Sequence, residues 1–191
     1  PDPAAYLSAL ARRDDEASRV YWSALLAGYD DLATLPRDRI RPASAQAARP
    51  ATHTFELDRS QAEGLIALAA AHGVTLGTIF QTLWGLLLGG WTDRQDVVFG
   101  NVVSGRSVDM TGIECLVGLF INALPVRVRF RPEQTFADLL GDQQRQTIST
   151  FAHDQAALSE IQARSALPSG LLDHLVVIEN YPEAGGSDAN T

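Results

Sequence analysis

Cysteine is almost missing from this sequence, since Cys115 is the only one among 191 residues. A single thiol excludes an intramolecular disulfide framework and a metal cluster held by thiolates, so nothing here points to secretion or to zinc. A reduced, cytoplasmic environment fits this composition best. We therefore expect a cytoplasmic protein without a metal site.

Long apolar runs and an excess of basic residues are also absent. The longest apolar run, near Leu83–Leu88, is far shorter than the roughly 20 residues that a membrane-spanning helix needs. No basic leader opens the chain, so we expect neither a signal peptide nor a membrane span. The net charge of −8 provides no basic surface for phosphates, which argues against nucleic acid as a partner.

The motifs of several common enzyme classes are missing as well. There is no glycine-rich phosphate loop, no His or Cys spacing typical of a metal site, and no G-x-S-x-G elbow. With 46% hydrophobic and 20% charged residues, the chain is long enough to bury one sizeable core. These features predict one compact domain.

The most informative stretch runs from Asp96 to Arg129. Two β-branched runs, Val97–Val103 and Leu124–Arg129, flank a segment with several glycines, so we predict a strand, a long loop and a second strand. The first strand reads as buried; in the second, valines alternate with arginines, which predicts a half-exposed strand. The loop combines glycines, polar heads and apolar side chains, a composition suited to lining a channel. A plain core connection explains the same residues.

Hydrophobic periodicity predicts helices elsewhere in the chain. They cover residues 1–28, 60–72, 75–91 and 135–151. The charged run Arg12–Glu16 is either a solvated helix turn or a break between two helices. Asp58 or Ser60 caps the second helix and Thr75 or Thr78 the third. Gly85, Gly89 and Gly90 predict a close backbone approach or a helix end.

Shorter elements complete the predicted fold. Alternation predicts a strand at residues 52–57, in which His53 is a cross-strand packing group, and another strand at Leu175–Ile178. Two pairs, His153-Asp154 and Asp173-His174, attract attention as acid and base. Adjacent residues do not face each other on a helix, however, and no nucleophile is near in sequence, so we interpret both pairs as structural.

The segment VGLFINALPVRVR, preceded by SGR and GIE, closely resembles the VGxFxNTLPxR signature of the condensation domains of nonribosomal peptide synthetases. Tyr21-Trp22, LPRDRIRP, TIFQTLWGLLL and LLDHLVVIENYP occur in that family's order. The family domain is considerably longer and similar in fold to chloramphenicol acetyltransferase, with two lobes around a tunnel. The resemblance implies that this chain is the C-terminal lobe, an α/β fold arranged as an α+β two-layer sandwich.

The resemblance also implies a division of the chain. Residues 1–28 form a helical connector, 29–50 a surface linker, 51–182 the core of the lobe and 183–191 a disordered tail. The chain departs from the family pattern at a few positions. Ala123 stands in place of Thr, Ser107 and Ala157 in place of Pro, and Gln155 in place of a frequent second His. We therefore expect no more than an exposed structural turn around His153.

The family's catalytic motif, HHxxxDG, is absent, since none of the four histidines has a neighbouring His or the following Asp-Gly. The resemblance implies that the parent enzyme joins an acyl thioester on one carrier domain to an amine on another, both carried on phosphopantetheine. This chain would supply a tunnel wall without a catalytic residue, a metal or a directly bound cofactor. The residues expected to line the wall are Gly118, Phe120, Asn122, Gly105 and Arg106.

Several expectations follow for partners and activity. The resemblance implies contacts with the N-terminal lobe, peptidyl carrier domains and a neighbouring adenylation domain, and it implies that the isolated chain is inactive. The alternative is a non-catalytic lobe that docks carrier domains or recruits a partner enzyme. For Asn122, a contact with substrate and a tie that fixes the loop both remain open. The apolar loop Ser104–Asn122 predicts a homodimer, or poor order, unless it folds back on its own lobe.

Overall fold

The computed structural model of this chain describes residues 3–11, 15–35, 51–107, 110–167 and 170–179. The helices are α1 (Pro3–Ala11), α2 (Asp15–Leu26), α3 (Arg59–His72), α4 (Leu76–Thr92), α5 (Phe136–Phe151) and α6 (Leu158–Gln162), with a 3-10 turn at Ile113–Cys115. The strands are β1 (Asp96–Val103), β2 (Asn122–Arg129) and β3 (Leu175–Val176). Helices around a small mixed sheet confirm the predicted α/β class.

The described strands form one sheet in the order β2-β1-β3. β1 and β2 are antiparallel, from Asp96 opposite Arg129 to Val103 opposite Asn122, and β3 runs parallel to β1. Directly opposite residues share a face of the sheet. The predicted strand pair is therefore confirmed, with β2 starting two residues early and β3 ending at Val176.

Apolar side chains cover both faces of this sheet. On one face, Val97, Phe99 and Val128 pack with Leu88 of α4 and Leu139 of α5. On the other, a second cluster joins the sheet to α2 and α6; it contains Trp22, Leu26, Val98, Ile161 and Leu171. Burial of these side chains is the main force that holds the helices on the sheet.

Helix α4 lies unusually close to β2. A Cβ atom at Gly85 would lie 2.5 Å from the Val128 side chain, and one at Gly89 would lie 2.6 Å from the Phe130 ring. These distances confirm the predicted close approach at Gly85 and Gly89, whereas Gly90, in the last turn of α4, has no atom within 4 Å of where a Cβ would lie. Thr75 caps α4 by accepting a hydrogen bond from the backbone N–H of Thr78, as expected.

Helix α3 also begins and ends as predicted. Asp58 and Gln61 form a reciprocal capping box at its start, and Gly73 takes a left-handed conformation at its end. Among the described residues no single helix is long and apolar enough to cross a bilayer; α3 and α4 meet that test only as a pair bent by 102°.

Two predictions about strands are wrong. Residues 51–58 take no regular strand structure and are exposed along their length, with Phe55 76% exposed. A strand needs a neighbour for its backbone groups, and among the described residues no strand pairs with this segment. His53 therefore packs across no strand; its ring lies 6.4 Å from that of Phe55 in the same segment.

The second error concerns β2, which is not half exposed, because Arg127 is only 3% exposed. Its guanidinium makes two bonds to Asp96, with Nε 2.7 Å from Oδ1 and Nη2 2.5 Å from Oδ2. Nη1 donates to the carbonyl oxygens of Leu25 and Ala27 at 2.7 and 2.8 Å. Pairing makes burial of this charge tolerable and ties the end of α2 to the sheet.

Some predictions lie outside the described residues. The charged run between α1 and α2 includes residues 12–14, the surface linker includes residues 36–50, and the expected tail begins at residue 183. Within the described part, α2 ends at Leu26, and Gly28 has a φ of 72°, in agreement with the predicted stop.

Candidate functional site

The loop that joins β1 to β2 turns at Gly105. Its φ of 63° is left-handed, and a Cβ atom there would lie 1.8 Å from the carbonyl oxygen of Phe120. Only glycine fits this conformation and this approach. The Gly105 carbonyl accepts a hydrogen bond of 2.8 Å from Nε2 of Gln155, in the turn after α5. The start of the loop is thus fixed to its end and to that turn.

The guanidinium of Arg106 holds the loop from inside. Nη1 donates to the carbonyl oxygens of Ile113 and Leu116, the latter at 3.0 Å. The guanidinium carbon lies 4.1 Å from the centre of the Phe120 ring, within the range of a cation–π interaction. Phe120 also packs edge-on against Tyr6 at 4.9 Å. Arg106 and Phe120 therefore form one packed unit.

Asn122, the first residue of β2, joins the sheet to the turn after α5. Its Nδ2 donates to the carbonyl oxygens of Asp154 and Ala156 at 2.8 and 2.9 Å. Its Oδ1 accepts from the backbone N–H of Ala123 at 2.9 Å. Both ends of the carboxamide are therefore engaged with the backbone of the chain itself.

The expectation that the turn around His153 is exposed is wrong for Asp154, which is only 4% exposed. The Asp154 carboxylate accepts hydrogen bonds from the Ser107 hydroxyl and from Nε2 of Gln155, the latter at 3.2 Å. The same Nε2 lies 3.0 Å from the Ser107 oxygen. Sequence reasoning missed these three residues as part of the site, because no periodicity links Ser107 to a turn 47 positions away.

The two acid–base pairs of the sequence have structural surroundings. The His153 ring stacks on Tyr21 with 4.5 Å between ring centres. Nε2 of His174 accepts a hydrogen bond of 2.8 Å from the Trp84 indole, and its Nδ1 lies 3.6 Å from the Asp173 carboxylate. These contacts fix the turn to α2 and the β3 region to α4, as the structural interpretation predicts.

The outer side of the loop is apolar and exposed. Val117, Leu119 and Ile121 are 95%, 94% and 67% exposed. Gly118 lies among them on the exposed side, and a Cβ atom there would lie 2.9 Å from the Phe120 ring. Of the five predicted site residues, the structure brings Gly105, Arg106, Phe120 and Asn122 to the base of the loop, and Gly118 lies on the exposed side against the Phe120 ring.

A cavity of about 250 Å³ lies beside the loop, between the sheet and the second half of α5. The sheet side contributes Asn101, Val103, Ser104, Leu124 and Val126; the helices contribute Gln81, Gln143, Gln146, Thr147, Thr150 and Phe151, and Asp154 lies at the edge. The walls combine apolar surface with carboxamides and hydroxyls, the mixture typical of small-molecule sites. Sequence reasoning did not predict this cavity.

Few titrating groups lie around this cavity. Asp154 is the lining residue with an acidic side chain. Burial raises the pKa of the Tyr21 hydroxyl, while its 2.6 Å hydrogen bond with Thr150 acts in the opposite direction. Within the described ranges, no three His, Cys, Asp or Glu side chains come together as a candidate metal site.

Comparison with known proteins identifies the class to which this fold and loop belong. The family model described as "Condensation domain" matches residues 4–191. The chain therefore belongs to the condensation domain family, which confirms the resemblance noted in the sequence. Solved structures agree: the first condensation domain of the calcium-dependent antibiotic synthetase superposes with a TM-score of 0.72 at 21% identity, over 94% of this chain.

The individual relatives are named as synthases. The chain is 40% identical to tyrocidine synthase 2 of Brevibacillus parabrevis over 93% of its length, and 42% identical to bacitracin synthase 3 of Bacillus licheniformis over 92%. It spans only 5% and 3% of those proteins. It also spans 40% of the solved antibiotic synthetase chain, so it is a partial domain.

Proposed function

We propose that this chain is the C-terminal lobe of a condensation domain in a nonribosomal peptide synthetase. In the complete domain, an amine on one carrier domain attacks an acyl thioester on another; a C–N bond forms, the C–S bond breaks and the thiol leaves. Both substrates are attached through phosphopantetheine, and this chain supplies one wall of their tunnel. The observation that carries the proposal is the 40% identity to a peptide synthase over 93% of the chain.

The loop residues have different roles in that wall. Gly105 and Arg106 shape the base of the loop, and Phe120 provides apolar surface next to Arg106. Gly118, without a side chain, lets the exposed side of the loop lie against the Phe120 ring. Because both ends of the Asn122 carboxamide already bond to the backbone, Asn122 acts by positioning the wall rather than by contacting substrate.

The catalytic base is provided by the part of the domain outside this chain. His53 and His72 are exposed, and the rings of His153 and His174 are packed against Tyr21 and Trp84. A general base must lie within hydrogen-bond reach of the proton that it removes. These positions support an inactive isolated chain.

The proposed partners are the N-terminal lobe, peptidyl carrier domains and a neighbouring adenylation domain. A solved relative at TM-score 0.68 and 23% identity is a four-domain nonribosomal peptide synthetase, of which this chain covers 11%. That arrangement supports a multidomain setting. The second candidate function, a non-catalytic lobe that docks carrier domains, is supported by the lack of an HHxxxDG motif in this sequence.

The test is a condensation assay with two loaded carrier domains. We expect no turnover by this chain alone and turnover by a complete domain in which an N-terminal lobe with HHxxxDG is joined to it. Asn122→Ala in that domain is expected to lower the rate about tenfold, the factor that corresponds to about 1.4 kcal/mol of lost positioning.

Asn122→Asp serves as the matched control, because it keeps the acceptor for Ala123 and loses the two donors. It should be as slow as the alanine variant if the donors matter. A complete domain that binds carrier domains without turnover would favour the docking function. Turnover by the isolated chain would contradict the proposed division of labour.

A further inference from the structure

Two carboxamides that line the cavity beside the loop each have one buried atom without a hydrogen-bond partner. Gln143 is only 2% exposed, and its Nε2 is buried without a hydrogen bond to any described residue. Asn101 of β1 also lines the cavity, and its Oδ1 is likewise buried without a hydrogen bond. A buried polar atom without a partner costs stability, so such atoms mark places where a ligand or water binds.

Neighbouring polar groups on α5 behave differently. Gln146 accepts from the backbone N–H of Arg127 at 3.0 Å and donates to its carbonyl oxygen at 2.7 Å. The Thr147 hydroxyl donates to the backbone carbonyl oxygen of Gln143 at 3.0 Å. Among the described residues, one further buried side-chain atom lacks a hydrogen bond, Nδ1 of His174, which does not line this cavity. On α5 the unpaired atom belongs to Gln143 alone among the described residues, so it is not a general feature of this helix.

The dimensions and chemistry of the cavity restrict its occupant. Its volume of about 250 Å³ exceeds the share of one water, about 30 Å³, and approaches the lower limit of small-molecule pockets, about 300 Å³. Val103, Leu124 and Val126 provide apolar walls. The carboxylate at the edge, Asp154, already accepts two hydrogen bonds. A small, neutral group fits these walls better than an ion.

We propose that this cavity binds a neutral amide group. The ligand amide donates its N–H to Oδ1 of Asn101 and accepts a hydrogen bond from Nε2 of Gln143. If both side-chain carboxamides are turned over, donor and acceptor exchange and an amide still satisfies both. An ester or a ketone lacks the N–H and satisfies only one of them.

The origin of the amide rests on the proposed function. In a condensation tunnel, an amide belongs either to the main chain of a peptidyl substrate or to a carboxamide side chain of an aminoacyl substrate. The cavity adjoins the proposed wall, because Ser104 and Asp154 belong both to its lining and to the segments that the base of the loop joins. Both sources present the same hydrogen-bonding pair.

The test is a titration of the 191-residue chain with small probes, followed by nuclear magnetic resonance of the Gln143 side-chain amide. N-methylacetamide represents the main-chain source, propionamide the side-chain source, and methyl acetate the same shape without an N–H donor. We expect the amides to shift the Gln143 signal and the ester to leave it in place. The more strongly bound amide identifies the source. Equal shifts by the ester, or no shift by either amide, would overturn the proposal, the latter leaving a cavity that holds only water.

Gln143→Met separates a ligand site from a structural role. Because Nε2 is unpaired in the free chain, this variant should unfold at an equal or higher denaturant concentration and bind the amide probe at least tenfold more weakly. Gln146→Met is the matched control on the same helix. It loses both bonds to Arg127, so it should unfold more easily.

Each outcome of the variant test decides the question. A Gln143→Met chain that is destabilised or fails to fold would show that the carboxamide has a structural partner, against the proposal. Unchanged probe affinity in Gln143→Met and in Asn101→Leu would also overturn it. The probe titration measures binding by this chain, whereas the condensation assay measures turnover by the complete domain. A negative titration would therefore contradict the amide site without contradicting the proposed function.

Discussion

Strand β2 carries two polar anchors with different surroundings, the buried Arg127 and the half-buried Asn122. Near its end, Arg127 bonds to Asp96 and to two carbonyl oxygens at the end of α2, and its side chain is almost fully enclosed. At its start, Asn122 bonds to the carbonyl oxygens of the turn after α5, beside the loop and the cavity. Arg127 fixes α2 to the sheet. Asn122 positions the loop, whose outer side is exposed to solvent.

The comparison indicates that the two ends of β2 serve different purposes, the Arg127 end global stability and the Asn122 end the position of the loop. The charged anchor is paired within the chain, so its removal leaves an ion and two carbonyl groups without partners. The neutral anchor uses ordinary hydrogen bonds, which contribute less each. We therefore expect substitutions at the Arg127 end to change global unfolding, and substitutions at the Asn122 end to change the loop.

The largest effect is expected for Arg127→Met. The substitution keeps much of the side-chain volume but leaves the Asp96 carboxylate without its ion-pair partner. It should lower the free energy of unfolding by about 3 kcal/mol. Asp96 is 36% exposed, so water limits the loss. Urea denaturation measures it. Arg129→Met, two residues on at an exposed position, is the control and should change stability by less than about 0.5 kcal/mol. Equal effects would show that the buried anchor has no special role.

A smaller and more local effect is expected for Gly105→Ala. The left-handed φ and the 1.8 Å approach to Phe120 leave no space for a methyl group. We expect a loss of about 2 kcal/mol, together with faster hydrogen exchange in the loop. Gly118→Ala is the matched glycine in the same loop. There the nearest atoms, at 2.9 Å, belong to the Phe120 ring, which can shift. Equal exchange rates in both variants would contradict a role for Gly105 in fixing the loop.

Local signals in the sequence predicted most of the fold. The capping residues Asp58 and Thr75, the stop at Gly28 and the β-branched runs of β1 and β2 act within a few neighbours, so periodicity and cap chemistry identify them. The strand at residues 52–57 failed for the opposite reason. Its alternation is correct for a strand, but pairing depends on a partner that local sequence does not specify.

The site could be predicted only in part. A signature segment located Gly105, Arg106, Phe120 and Asn122, and the structure places them together at the base of the loop. The contributions of Asp154 and of Gln143 depend on packing between segments far apart in the chain. Arg127 was misjudged because alternation indicates which side a residue faces, whereas its burial follows from α2 covering that side.

The smallest expected effect concerns the outer side of the loop. Val117 and Leu119 are almost fully exposed, and such apolar groups favour contact with another surface. In the isolated chain, we expect weak self-association through the loop, because the area is small and association entropy offsets much of the gain. Sedimentation across a range of concentrations measures it, with reductant present because Cys115 is exposed.

A double variant, Val117→Ser with Leu119→Ser, should remain monomeric at concentrations where the original chain associates. Leu87→Ser is the control, since Leu87 is a similarly apolar residue, 46% exposed, on α4. If the control abolishes association and the double variant does not, the contact lies on α4. A sharp monomer with strongly protected amides at residues 112–120 would mean that the loop completes its own lobe. Val117 and Leu119 would then need no partner surface. Asn122 would in that case hold a loop that is part of the closed fold, as Arg127 holds α2, and the two anchors of β2 would not differ in role.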